Sequence, residues 1–202
     1  EQEYLIDEAN RIKMLGNRII VVEWNEKPNN LHLVSSQPSY LNSFYTRDIE
    51  QFNILVDDIV SDACRRVDKP YKRQLQACDK DIMILLDVSG FMTKVNFLHI
   101  NQFLSDFIQE LDIDSGNVRL GLVTLTKDPK LVWSYGHFKT QEEYMEACRA
   151  LCYGHDDESS IKEALHLINS SSLIARSAKT SLLMITDEDL QVASPSNESV
   201  WY

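Results

Sequence analysis

An α/β fold is predicted, with a doubly wound, mostly parallel sheet of six strands flanked by helices, and two observations support this prediction. Continuous apolar runs rich in β-branched residues, such as 18–24 and 81–87, are typical of strands buried on both faces. Amphipathic stretches with a helical period alternate with these runs, as is typical of parallel sheets. Because ligands bind such sheets at the carboxyl ends of the strands, we expect a functional site there.

The first third of the chain is predicted to contain two strands and three helices. Residues 4–15 are amphipathic and stop at Gly16, a residue that commonly ends helices. The elements that follow are a strand at 18–24, a short helix at 29–35, a short strand at 43–46 and a helix at 48–67. In that last helix the apolar side chains recur on one face: Phe52, Leu55, Val56, Ile59 and Val60.

The segment 68–80 is polar, contains proline and is predicted to be a linker. After it, the pattern predicts strands at 81–87, 118–125, 130–134 and 180–187 and helices at 94–111, 140–151 and 159–175. The first and the last of these strands end in an aspartate, Asp87 and Asp187. We therefore expect both carboxylates at the same edge of the sheet.

The charge of the chain argues against two classes of partner. Lys and Arg number 20 and Asp and Glu 31 among the 202 residues, so the formal net charge is −11. Nucleic acids and anionic membrane surfaces attract basic proteins, and neither is an expected partner. No apolar run reaches the roughly 18 residues that a membrane span needs.

Catalysis is not expected. The chain has 6 glycines, roughly 3% against the usual 7% or so, and neither GxxxxGK[ST] nor GxGxxG occurs, which argues against a nucleotide-binding enzyme. The motif Asp87-Val88-Ser89 lacks the second carboxylate that a DxDxT phosphatase needs. No recognisable nucleophile elbow or triad lies near the histidines at 99, 137, 155 and 166.

Several features indicate a secreted, extracellular protein. The N-terminal residues 1–4 are not a signal peptide, so the chain is expected to be a mature protein or an excised fragment. Two sequons, at Asn169 and Asn197, would accept glycans in a secreted protein. The even number of cysteines suits disulfides: Cys64, Cys78, Cys148 and Cys152.

The last two cysteines lie four apart on one predicted helix. Their Cα atoms would be about 6 Å apart, which is within disulfide range but unusual inside a helix. Alternatively, they are two small buried apolar side chains.

The segment that follows strand 81–87 resembles the DxSxS opening of a von Willebrand factor type A domain, with Asp87, Ser89 and Phe91 in the pattern positions. Residues 157–165 resemble the later TxTxxAL pattern of that family and place Ser159 at the liganding position. Thr186-Asp187 matches the family's second aspartate. The resemblance implies that Asp87, Ser89, Ser159 and Asp187 hold Mg²⁺ or Mn²⁺, since both ions prefer hard oxygen ligands.

The sequence departs from that pattern at one ligand. Phe91 stands where the family has its second serine, so a direct ligand is missing and weaker metal binding is expected. Two outcomes stay open: residual binding of a divalent ion, or a metal-free site in which Asp87 and Asp187 accept hydrogen bonds from backbone amides. The acidic run 156–158 is interpreted as a solvated face.

The first 67 residues resemble the final third of the same family, from its helix before the fifth strand to its last helix and cysteine. The matching stretches are 5–16, 18–24, 44–49 and 52–64. Residues 81–202 resemble the first two-thirds, with the metal-site motif and four strands. The chain would thus carry a type A domain in circularly permuted order, as 1–67, a linker at 68–80, and 81–202.

Three arrangements follow from that order. The chain could close on itself, because the residues 67–79 reach about 43 Å when extended. It could instead complete the sheet of a neighbouring identical chain, head to tail, which generates a filament when the contact does not close. It could also be a piece of a longer tandem protein. We expect the second arrangement, with a central strand pairing beside 182–185 through Ile19, Ile20, Val21 and Val22.

The resemblance also implies a disulfide and a function. Extracellular members often have cysteines before the first strand and after the last helix, where Cys78 and Cys64 stand; their bond would close a loop of about 14 residues and contribute roughly 3 kcal/mol. The expected function is an extracellular structural module that assembles with identical chains. The alternative is a metal-dependent adhesion module that binds a collagen-like or other matrix protein.

Overall fold

A six-stranded sheet with helices on both faces forms the centre of the computed structural model, which describes residues 2–25, 30–64, 80–89, 93–151, 159–170 and 180–187. The described helices are α1 (Gln2–Met14), α2 (Phe52–Cys64), α3 (Lys94–Gln109), α4 (Gln141–Arg149) and α5 (Ile161–Ser170). The strands are β1 (Arg18–Trp24), β2 (Ser43–Thr46), β3 (Lys80–Asp87), β4 (Val118–Leu125), β5 (Lys130–Trp133) and β6 (Ser181–Thr186).

The strand order in the sheet is β2-β1-β6-β3-β4-β5, and β5 alone runs antiparallel to its neighbour. This confirms the predicted doubly wound, mostly parallel α/β fold. β6 lies between β1 and β3, and residues 19–22 pair in register with residues 182–185. The pairing expected for the strand 19–22 is therefore present, and in this structure it is made within one chain.

The core has two layers because successive side chains of a strand point to opposite faces of the sheet. On one face Ile20 and Val22 pack with the aromatic side chains of Phe52 on α2 and Phe103 on α3. On the other face the neighbouring residues Ile19 and Val21 pack with the apolar side chains of α1 and α5. The fully apolar runs thus reflect burial on both faces.

Local signals in the sequence account for several element boundaries. Gly16, two residues after the end of α1, has a φ of +84°, a conformation that favours glycine. The Thr93 hydroxyl accepts a hydrogen bond from the Asn96 amide and caps α3, and Thr140 and Glu143 form a capping box at the start of α4.

Several predicted boundaries shift by a few residues in the structure, among them the starts of α2 and β3. The helix predicted at 48–67 begins with a 3₁₀ turn, Ile49–Gln51, in which the Asp48 carboxylate accepts a hydrogen bond from the Glu50 amide. Lys80, predicted as the end of the linker, is the first residue of β3. The rest of the predicted linker lies outside the described residues. No described helix is long and apolar enough to cross a membrane.

The described cysteines differ in oxidation state. Cys64, at the end of α2, is disulfide-bonded. Cys148 is a free thiol with 1% of its surface exposed, so the prediction of a disulfide at this residue is corrected in favour of the alternative, a small buried side chain. The physical reason is that Cys148 points into the core of α3 and α4, where burial raises its pKa to about 12. Cys78 and Cys152 lie outside the described residues.

Candidate metal site and domain seam

Asp87 and Thr186 meet at the carboxyl edge of the sheet, where β3 and β6 end side by side. The Thr186 hydroxyl donates to Asp87 Oδ2 at 2.6 Å, and the Ser89 amide donates to Asp87 Oδ1 at 3.0 Å. Asp87 has no exposed surface, and this burial raises its pKa while both hydrogen bonds oppose the rise. Asp87 thus lies at the carboxyl ends of two neighbouring strands, where the strand pattern predicts it.

Asp187 follows Thr186 directly and is half-buried at the same edge. Burial is the main cause that raises its pKa to about 6, and the nearby charge of Asp87 adds to the rise. The Asn25 side chain reaches the backbone oxygen of Asp187 at 3.5 Å and links the ends of β1 and β6. The edge therefore holds two carboxylates that repel each other.

The two predicted serine ligands lie on different elements. Ser89 is buried and its amide contacts Asp87, while Ser159 is half-buried and stands two residues before α5 begins. Three other features of the prediction lie outside the described residues: Phe91, Asn197 and the acidic run 156–158. Their predicted roles stay predictions.

The donor chemistry of this edge fits a divalent cation in part. Asp87, Asp187 and the hydroxyls of Ser89 and Thr186 are hard oxygen donors, which suit Mg²⁺ or Mn²⁺. However, both carboxylate oxygens of Asp87 already accept hydrogen bonds from the protein. Among the described residues, no group of three or more His, Cys, Asp or Glu side chains is placed to hold a metal ion.

Sequence reasoning missed a third acidic residue near this edge. Glu23 lies near the carboxyl end of β1, pairs in register with Thr186 and has 2% of its surface exposed. The signal was present, since Glu23 is the one carboxylate within the apolar run 18–24.

The N-terminal third of the chain also docks on the rest along the contact between α1 and α5, which we call the α1–α5 seam and which contains a buried carboxylate. Glu8 on α1 is 1% exposed, and its Oε2 accepts a hydrogen bond from the Asn169 side chain of α5 at 2.6 Å. Its Oε1 accepts from Arg11 at 3.0 Å and lies 4.0 Å from His166 Nδ1. The hydrogen bond from Asn169 is the main cause that lowers the pKa of Glu8.

This contact bears on the predicted glycan at Asn169. The Asn169 side-chain nitrogen, to which an N-glycan is joined, donates to Glu8 in the folded chain. A glycan at this position would compete with the hydrogen bond. Glycosylation of Asn169 stays a prediction.

The amino edge of the sheet ties the same two parts of the chain together. Ser181 of β6 donates to the backbone oxygen of Ala63 in α2 at 2.7 Å, and the Thr180 amide donates to Asn17 Oδ1 at 3.1 Å. All four groups are buried, so the N-terminal third is held by directional bonds as well as by apolar packing.

Comparisons with known proteins agree with this architecture. A family model described as "von Willebrand factor type A domain" matches residues 81–200. Integrin alpha-10 of Homo sapiens is 29% identical over 113 residues, which is 52% of this chain and 10% of that protein. The collagen alpha-6(VI) chain of Homo sapiens is 26% identical over 142 residues, 65% of this chain and 6% of that protein. This chain thus spans a tenth or less of the length of both relatives.

Solved structures of proximal thread matrix protein 1 from the mussel byssus are similar in fold. One, described with a zinc-occupied MIDAS motif, has a TM-score of 0.50 and 14% identity, and covers 89% of this chain and 46% of that chain. Another has a TM-score of 0.51 and 18% identity, and covers 58% of this chain and 33% of that chain.

Proposed function

Because the chain belongs to the von Willebrand factor type A domain family, we propose that it is a secreted, non-enzymatic structural module that joins identical chains. In this proposal residues 1–67 form the last third of a type A domain and residues 81–202 the first two-thirds. The first part docks on the second part of a neighbouring chain, head to tail, and repetition of this contact builds a filament.

The observation that supports the proposal is the position of β1 in the sheet. β1 separates the edge strand β2 from β6, and its residues 18–24 are all buried. Without the N-terminal third, the hydrogen-bonding edge of β6 would lie open beside a buried apolar core, which is a strong drive to pair with another strand. The same surfaces would meet whether β1 comes from the same chain or from a neighbour.

The experiment is sedimentation velocity and electron microscopy of the full chain at micromolar concentration. Wild-type chains are expected to form particles larger than the monomer. Val21→Asp should abolish them, because it places a charge on a fully buried residue of β1. Val132→Asp on the edge strand β5, where 39% of the valine is exposed, is the matched control and should leave assembly intact. A strictly monomeric wild type would contradict the proposal.

A second candidate function, metal-dependent adhesion to a collagen-like or other matrix protein, is favoured by one specific observation. The charge of Asp87 contributes to the raised pKa of Asp187, and a divalent cation would relieve this repulsion. Asp87, Asp187, Ser89 and Ser159 would hold the ion, which would then bind an acidic group of the partner.

Titration with Mn²⁺ and Mg²⁺ tests this candidate. A metal-binding edge would raise the unfolding midpoint with ion concentration, and Asp187→Asn would remove the effect. An unchanged midpoint at millimolar ion would leave the structural role as the function of the module.

We also propose that Cys78 is the disulfide partner of Cys64, which would link the two parts of the chain across the connecting segment. Peptide mapping of the non-reduced protein tests this pairing directly. A peptide that joins Cys64 to Cys152 would contradict it.

A further inference from the structure

The α1–α5 seam is apolar except at one point. Its buried side chains belong to one cluster on one face of the sheet: Leu5, Ala9 and Ile12 from α1 and Ile161, Ala164, Leu165 and Ile168 from α5. Apolar side chains on one helix face recur at every turn. Apolar packing alone would therefore also allow α1 to dock one turn, about 5.4 Å, further along α5.

Glu8 interrupts this stripe. With Leu5, Ala9 and Ile12 it has the spacing i, i+3, i+4, i+7 of a buried helix face, and only 1% of it is exposed. A buried carboxylate oxygen without a partner is strongly unfavourable. Arg11 of α1 donates to Oε1 and moves with the helix, so α1 docks well only where a donor from across the seam meets Oε2. Across the seam Asn169 supplies that donor, at 2.6 Å from Oε2.

We propose that the contact of Glu8 with Asn169 is the specificity determinant of the seam, selecting the α1 segment and the register in which it docks on α5. A single buried polar position fixes register in other helix pairs for the same reason. The claim that this segment can come from a second copy of the chain rests on the proposed function.

The polarity of the contact can be reversed, which makes the proposal testable. Asn169→Asp places two carboxylates against each other and should prevent docking. Glu8→Gln keeps an acceptor oxygen for Asn169 and should be tolerated. In the double variant E8Q/N169D, the amide at position 8 can donate to the carboxylate at position 169, which restores the hydrogen bond.

A matched control lies outside the seam. The Asn117 side chain donates to Asp112 Oδ2 at 2.8 Å on the exposed surface. Asn117→Asp therefore creates the same contact between two carboxylates in water, where its effect should be small.

The first measurement is hydrogen exchange of the α1 amides in the full chain. N169D is expected to lower their protection by about 100-fold or more, and E8Q by less than about tenfold. The double variant should return to within about tenfold of wild type. A double variant as impaired as N169D, or an N169D no more affected than N117D, would overturn the proposal.

The second measurement separates this proposal from the proposed function. N169D and E8Q chains are refolded together and weighed by native mass spectrometry. The α1 helix of an E8Q chain can meet the α5 helix of an N169D chain only when the two chains associate. Particles that contain both variants therefore support docking of α1 on a second copy of the chain. Rescue of the double variant without mixed particles supports the specificity contact and contradicts exchange between chains.

Discussion

Glu8 and Asp187 are both carboxylates drawn into the protein, and their surroundings differ. Glu8 accepts hydrogen bonds from Asn169 and Arg11, and its pKa is lowered chiefly by the bond from Asn169. The pKa of Asp187 is raised to about 6 by burial and by the charge of Asp87. The fold thus supplies hydrogen-bond donors to Glu8, whereas the negative charge of Asp187 is less well stabilised by its surroundings.

The difference matches the two roles proposed for these regions. A carboxylate held as an anion by the protein's own donors can fix how two parts of the chain meet. Two carboxylates that repel each other suit a place where a cation or a proton supplies the missing positive charge. If this comparison is correct, removing the charge of Glu8 should destabilise the protein, whereas removing the charge of Asp187 should stabilise it.

Glu8→Ala tests the seam and has the largest expected effect. We expect a loss of about 3 kcal/mol in the free energy of unfolding, because the substitution leaves the Asn169 amide facing a cavity. Urea denaturation at pH 7 measures it. Glu163→Ala, an exposed residue of α5, is the control and should change stability by less than about 0.5 kcal/mol. Equal effects would show that Glu8 has no special role.

Thr186→Val tests how much the hydrogen bond to Asp87 contributes to stability at the carboxyl ends of β3 and β6. The substitution keeps the shape of the side chain and removes the hydroxyl that donates to the buried Asp87. We expect a loss of about 2 kcal/mol, the usual cost of depriving a buried charged group of a hydrogen bond. The same change at Thr124 on β4 is the control, and a loss of similar size there would argue against the contact with Asp87.

The fold was predictable because burial on both faces leaves a direct mark on the sequence. β1 and β2 have the predicted bounds, 18–24 and 43–46, and the two strands that end in aspartate are neighbours. The 3₁₀ start of the α2 region and the inward position of Cys148 depend on packing, which periodicity does not report.

The contact of Glu8 in the α1–α5 seam was less predictable from the sequence than the position of Asp87 and Asp187 at the carboxyl ends of the strands. A glutamate at position i+3 of an apolar stripe, as at Glu8, indicates that something unusual occurs, but its donor lies 161 residues away in the sequence. Glu23 was missed for a similar reason, since its environment depends on the strand beside β1. Sequence patterns identify the exceptional carboxylates, whereas only the tertiary structure identifies their partners.

Asp187→Asn should have the opposite sign to Glu8→Ala. A carboxyl whose folded pKa lies above its unfolded value loses stability as pH rises from the unfolded value, about 3.9, to the folded value, here about 6, and the loss is complete above that value. With a chelator present, we therefore expect a gain of about 1 kcal/mol at pH 8, after allowance for partial exposure, and almost none at about pH 3. Thermal denaturation at both pH values measures it, with the exposed Asp57→Asn as control. A loss at pH 8 would contradict the comparison.

Glu8→Gln should show the smallest effect, and its dependence on pH sharpens the comparison. The folded pKa of Glu8 is lowered, so its contribution is complete above the unfolded value of about 4.3 and is lost as pH falls through the folded value. Wild type should therefore exceed the variant by up to about 1 kcal/mol at pH 6, and the gap should close towards pH 3.

Tyr4, Arg11 and His166 are the titratable or charged groups that also act on Glu8, so their contribution has to be separated from that of Asn169. Repeating the titration in a His166→Gln background does this for the imidazole on α5. A gap that still closes between pH 6 and pH 3 assigns the effect to the carboxylate that Asn169 stabilises. If the stability difference no longer depends on pH in this background, its pH dependence arises from His166.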